Sequence, residues 1–68
     1  MKRYLFGLHC QGVVNYHEEM FECDADAQIR ARKILNEGKR DANAFMISVY
    51  RIHNFVDWRL IVSYAASV

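Results

Sequence analysis

A chain of 68 residues has room for one small domain, and its 53% hydrophobic and 25% charged residues are typical of a folded chain rather than a disordered one. The formal net charge of +1 excludes a global field that would steer the protein to nucleic acid or to an anionic membrane, so any electrostatic function must be local. We therefore expect residues 1–68 to form a single domain.

The first strand is predicted over residues 2–10, where the side chains alternate between two faces. The basic start resembles that of a signal peptide, but the apolar run is too short and no small-residue cleavage site follows it. No stretch approaches the roughly 18 apolar residues of a membrane helix. The sequence thus predicts a cytoplasmic protein that is not inserted in a membrane.

A turn at Gln11-Gly12 leads to a second predicted strand over residues 14–23, and the two strands should form a hairpin. Cys10 lies at the turn and Cys23 at the far end of this hairpin. At roughly 3.3 Å per residue they are more than about 20 Å apart, which is too far for a disulfide. We predict two free thiols and expect Cys23 to be a small core residue.

A helix is predicted from Asp24, the expected N-cap, to Gly38, which is expected to take the left-handed conformation that ends helices. Ile29 is expected on the solvent face. The stripe that should pack on the sheet consists of Ala27, Ala31, Ile34, Leu35 and Gly38.

Two further strands are predicted over residues 45–53 and 58–64. The resulting order predicts an α+β fold of the ββαββ type, a four-stranded antiparallel sheet with one helix packed on one face. One face of the last strand is expected to carry Trp58, Leu60, Val62 and Tyr64.

The loop between these strands, HNFVDW at residues 53–58, places two large apolar residues where a turn usually has Gly, Asn, Asp or Pro. Two interpretations remain open. In the first, Asn54 and Asp57 supply the turn chemistry while Phe55 folds over the end of the core. In the second, Phe55 and Val56 form an exposed knob for a partner or a second copy.

Residues with catalytic or metal-binding spacing are scarce. The weak candidates for a metal or thiol site are His9, His17 and Cys23, which lack the closely spaced pairs of known metal sites. No Gly-rich phosphate loop, nucleophile elbow or Ser/His/Asp arrangement is visible. We expect no enzymatic activity, no cofactor and no metal.

A basic helix makes nucleic-acid binding the alternative function, because its side chains would contact phosphates. Against it, small helices usually carry such charges for solubility and to complement the helix dipole, and the acidic second strand would repel phosphates. The residues that would bind nucleic acid are Arg30, Arg32, Lys33, Lys39 and Arg40.

Apolar surface supports the leading expectation, a partner protein. The chain has more apolar residues than one sheet face can bury, among them whichever of Leu5, Met46 and Ile61 faces away from the helix, and a four-stranded sheet keeps two edges open to pairing. A homodimer is a further expectation. The residues expected to contact the partner are Ile29, Arg32, Lys33, Phe55 and Val56.

The run MFECDADAQIRARKIL at residues 20–35, between two hairpins, resembles the strand-to-helix junction of small ββαββ proteins encoded by phages and mobile elements, which include some anti-CRISPR inhibitors. The resemblance implies a non-enzymatic interaction module that occupies a partner's surface. The most specific version of this hypothesis is a phage-type inhibitor of a host defence complex such as CRISPR-Cas, acting in the host cytoplasm. No functional residue is assigned from this resemblance, because a shared fold alone does not imply a shared site.

Overall fold

A computed structural model describes residues 1–66, and residues 67–68, the end of the expected domain, lie outside the described part. The chain forms one sheet and one helix, which confirms the predicted ββαββ fold. The elements are β1 (Lys2–Cys10), β2 (Val13–Phe21), α1 (Asp24–Ala42), β3 (Met46–Asn54) and β4 (Asp57–Ala65).

The strands lie in the order β2-β1-β3-β4, and all neighbouring pairs are antiparallel. Because β2 and β3 both run antiparallel to β1, they are parallel to each other, and α1 supplies the crossover that such a pair requires. We refer to the sheet face under α1 as the helix face and to the other as the open face.

The core lies between α1 and the helix face. Its largest fully buried side chains are Tyr4, Phe6, Ile47 and Val49, from the two central strands. The helix contributes mostly small residues, which let it approach the sheet closely. The predicted stripe is confirmed, with Ala27, Ala31, Leu35 and Gly38 buried and Ile34 half-buried.

Gly38 does not end the helix. It lies inside α1, where an added Cβ would come 2.7 Å from a methyl group of Leu8 and 3.1 Å from Cβ of Ala44. The helix continues to Ala42, and Asn43 takes the left-handed conformation with φ 55°. The predicted end was wrong because glycine is found both at helix ends and where a helix packs closely on a strand. The close approach of Leu8 shows that Gly38 has the second role.

The predicted N-cap is also wrong. Cys23 occupies the N-cap position without a side-chain capping bond, while Asp24 Oδ1 accepts a 2.6 Å hydrogen bond from the Tyr4 hydroxyl. Burial of Tyr4, followed by this hydrogen bond, raises the pKa of Tyr4 to about 12. Both thiols are free, as predicted, but Cys23 is exposed rather than part of the core, and Cys10 is buried.

A β-bulge divides β4. Val62 pairs with Val49 of β3, whereas Leu60 pairs with Tyr50, so that Ile61 is the extra residue. Because paired residues lie on the same face, Val62 belongs to the helix face and Leu60 to the open face.

The bulge overturns the prediction that four alternating residues of the last strand share one face. Val62 and Tyr64 pack against the core. Trp58 and Leu60 point to the open face, where they are 53% and 57% exposed. An extra residue in a strand shifts the alternation by one, and the strand's own sequence does not show where that shift occurs.

Candidate protein-interaction surface

The open face carries apolar side chains that no layer of the described chain covers. The register places Leu5 of β1 beside Tyr50 of β3 and Tyr50 beside Leu60 of β4, and it places Ile52 beside Trp58. Leu5, Tyr50 and Ile52 are half-buried by their neighbours in the sheet. These five residues form what we refer to as the apolar patch.

Tyr16 extends this surface across β1 towards β2. A Cβ added to Gly7, its partner in the register, would lie 3.3 Å from the Tyr16 ring, so the ring lies over the space that glycine leaves open. Met20 of β2 is also exposed on this side of the sheet. The apolar surface therefore spans all four strands.

Charged groups on the open face are few and paired. Arg3 Nη2 lies 2.7 Å from Glu18 Oε1, so these two charges neutralise each other. At the other end of the strands, the Ser48 hydroxyl lies 3.1 Å from that of Ser63 and 3.5 Å from His9 Nε2. An apolar centre with a small polar border is the composition of protein interfaces.

The conformation of the loop at residues 53–58 shows that Phe55 does not fold over the end of the core. Phe55 is 99% and Val56 93% exposed, so both side chains project from the tip. Asn54 supplies the turn chemistry, because its Oδ1 accepts hydrogen bonds from the backbone N–H groups of Val56 at 2.9 Å and Asp57 at 3.0 Å.

Apolar residues are compatible with this turn because its backbone does not require glycine. Within residues 1–66, positive φ angles occur at Gly12 and Asn43 only. Phe55 and Val56 therefore adopt conformations open to any L-residue.

The exposed tip adjoins the apolar patch. A cleft of about 120 Å³ lies between the loop and the open face, and its lining includes Asn54 and Phe55 from the loop together with Ile52, Trp58 and Arg3 from the sheet. The patch and the tip therefore form one continuous surface.

The other predicted contact residues lie elsewhere. Ile29 is 67% exposed on the outer side of α1, as expected, and shares a depression with Lys33. The Arg32 guanidinium lies 4.8 Å from the centre of the Tyr64 ring. Because α1 covers the opposite side of the sheet, these residues do not join Phe55 and Val56 in one site.

The basic residues of the helix are divided between two sides of α1. Arg30 and Lys33 border a depression beside Phe21, whereas Arg32 and Lys39 border another beside Tyr64. Arg30 also pairs with Glu19 at 2.9 Å, and Arg40 with Asp41 at 3.2 Å. The five predicted phosphate contacts do not form one patch.

Glu19 connects β2 to the helix. Its Oε2 lies 2.9 Å from Arg30 Nε and 2.7 Å from His17 Nε2. Burial favours the protonated carboxyl, but the hydrogen bonds with Arg30 and His17 outweigh it and lower the pKa of Glu19 below its usual value of 4.5.

Glu19→Gln is expected to cost at most about 1 kcal/mol at neutral pH, because the partners are more than a third exposed and water screens the pair. A lowered folded pKa gives stability that is present above pH 4.5 and is lost as the pH falls through the folded value. Urea unfolding at pH 7 and at pH 3 should therefore show a stability gap between wild type and variant that is smaller at pH 3 than at pH 7. The exposed Glu22→Gln is the control, and a gap of the same size at both pH values would contradict the assignment.

Within residues 1–66, no group of three or more His, Cys, Asp or Glu side chains is placed to hold a metal ion. His9 lies on the open face beside Ser48, whereas His17 stacks on Phe6 of the helix face, so the two cannot bind the same metal ion. In the part of the chain that the structure describes, no helix is both long enough and apolar enough to cross a membrane.

Comparison with known proteins gives no match. No family model matches the chain, and no curated protein or solved structure is detectably similar to it. The geometry of the open face is therefore the basis for functional inference.

Most of the apolar patch was missed from sequence, although β3 carries a signal. Ile47 and Val49 alternate with Tyr50 and Ile52, which lie on the open face, so both sides of this strand are apolar. Such two-sided hydrophobicity is typical of strands buried on both faces. The open face of β3 has the composition of a surface that is to be covered.

Proposed function

We propose that this protein is a non-enzymatic protein–protein interaction module that binds its partner through the apolar patch and the adjoining Phe55-Val56 tip. The observation that carries the proposal is the uncovered row of apolar side chains across the open face. Single exposed apolar residues are common on proteins, but a contiguous group of them marks an interface.

The side chains on this surface are suited to dominate a binding energy. Trp58 and Tyr50 lie within the patch, and Trp and Tyr are enriched among the residues that contribute most to interfaces. Phe55 projects at its edge and adds a large apolar side chain. Sheet residues also lose little entropy on binding because the neighbouring strands already hold them.

The charge distribution supports a protein partner over nucleic acid. Arg3 on the open face is already paired with Glu18. The basic side chains of α1 lie on both sides of that helix. Phosphate binding depends on clustered cations, which neither surface presents.

The test is capture from an extract of the native host by the immobilised chain, followed by affinity measurement with the purified partner. Leu60→Asp places a charge on the open face, and Ile29→Asp places the same charge on the outer side of α1. Both residues are more than half exposed, so both variants should fold. We expect Leu60→Asp to weaken binding about tenfold or more and Ile29→Asp to leave it unchanged.

Equal affinity of wild type and Leu60→Asp would contradict the proposal. The narrower form of the proposal, a phage-type inhibitor of a host defence complex, is supported only by the resemblance in element order. It requires that the captured partner be a subunit of such a complex, CRISPR-Cas for example, and capture of an unrelated protein would reject it.

A further inference from the structure

We infer that the partner of the apolar patch is a second copy of this chain, packed open face to open face in a two-fold dimer. The inference rests on the proposed function, since it names the partner for the same surface. Four features support it: the one-sided core, the size of the face, the pairing of its charges within one chain and the packing geometry of sheets.

The core is completed on one side only. Within residues 1–66, α1 buries the helix face, and the fully buried large side chains, such as Ile47 and Val49, all point towards it. Tyr50 and Ile52 alternate with them along the same strand and are also apolar, but no layer of the described chain covers their side of the sheet. A second sheet would bury them, and small domains often complete a core by association.

The size of the face is sufficient for a specific dimer that dissociates on dilution. Each strand has nine residues, which at roughly 3.3 Å per residue gives a length of about 30 Å, and four strands at about 4.8 Å give a width of about 19 Å. Each copy therefore offers roughly 550 Å². Two copies would bury about 1,100 Å², just above the roughly 1,000 Å² expected of a specific interface.

The charge of the face is compatible with an identical partner. In a two-fold interface each residue type meets the same surface on the other copy, so an unpaired charge near the axis would oppose itself. Arg3 and Glu18 neutralise each other within one chain. The apolar patch contains no charged residue. Two copies can therefore approach without repulsion.

The geometry of the sheet is also suited to this packing. Two sheets pack face to face about 10 Å apart, with their strands crossing at about 30°. The helices would then lie outside, in the layer order helix, sheet, sheet, helix. Trp58, the only tryptophan of the chain, would become buried between the two sheets.

The test measures mass and tryptophan emission together, on the whole chain, over an about hundredfold range of concentration. Sedimentation or light scattering should show the mass rising from 8.0 kDa to twice that value. The emission of Trp58 should shift to shorter wavelength in parallel. Leu60→Asp should remain at the mass of one chain with unshifted emission, and Ile29→Asp should behave as wild type.

A wild-type mass of one chain at every concentration would overturn the inference. If another protein is nevertheless captured and its binding depends on Leu60, the proposed function stands and only the second copy is rejected. A dimer that forms equally well with Leu60→Asp would place the interface elsewhere and reject the inference. Quenching of Trp58 by a single-stranded oligonucleotide, with no dimer and no captured protein, would reject both proposals.

Discussion

Replacing Tyr4 with alanine is expected to lower the free energy of unfolding by about 3 to 5 kcal/mol, the usual cost of removing a large aromatic side chain from a core. Tyr4 is fully buried, and its ring centre lies 6.0 Å from that of Phe21. A domain of this length has a total stability of only roughly 3 to 10 kcal/mol. The variant should therefore be largely unfolded, which circular dichroism and urea titration would measure.

Tyr4→Phe separates the ring from the hydroxyl. It keeps the buried ring and removes the hydrogen bond to Asp24, at an expected cost of about 1 to 2 kcal/mol. Tyr16→Phe is the matched control, because Tyr16 is exposed on the open face. Equal urea midpoints for the two variants would show that the bond to Asp24 contributes no stability.

The difference in stability between wild type and Tyr4→Phe should depend on pH. Burial and the bond to Asp24 raise the pKa of Tyr4 from 10.0 to about 12. A raised folded pKa gives stability that is complete below pH 10 and is lost as the pH rises through about 12. Because Tyr4→Phe lacks this ionisation, the stability gap between wild type and variant should narrow over that range.

Gly38→Val is expected to destabilise the protein by about 1 to 3 kcal/mol, the usual cost of overpacking. The valine Cβ alone would lie 2.7 Å from a Leu8 methyl and 3.1 Å from Ala44 Cβ, and valine adds two further methyl groups. Replacing glycine within a helix recovers less than about 1 kcal/mol from helix propensity. The clash should therefore exceed the propensity gain, as thermal and urea unfolding would show.

Leu8→Ala provides the control for this clash. Shortening Leu8 removes the methyl groups that Gly38 accommodates, so the cost of Gly38→Val should be smaller in the Leu8→Ala background. We expect a coupling of at least about 0.5 kcal/mol between the two positions. Additive costs would show that the α1–β1 contact does not depend on this glycine.

The fold was predictable to a large extent because its signals are local. Alternation along residues 2–10 and the 3.6-residue spacing of Ala27, Ala31 and Leu35 depend on side chains close in sequence. The ends of the helix were not predictable in the same way. Asp24 accepts a hydrogen bond from Tyr4, 20 residues away, and Gly38 contacts Leu8 of β1.

The candidate surface was predictable only in part. Ile29 is exposed as expected, but it lies away from the apolar patch. For Phe55 and Val56 the sequence left two interpretations open, and the structure decides for the exposed tip beside the patch. Leu60 and Trp58 join the open face because of the bulge at Ile61. The position of that bulge depends on the pairing of β4 with β3.

The sequence alone determined the type of each element, the side of the helix that packs inward and the presence of surplus apolar residues. These properties follow from local periodicity and composition, which do not require knowledge of distant partners. Only the tertiary structure decided the strand order β2-β1-β3-β4 and the face on which each apolar side chain of β4 lies. The reason is physical: the strand order depends on the pairing of β1 with β3, which are far apart in sequence, and the bulge depends on how β4 pairs with β3. One inserted residue moves every following side chain to the other face.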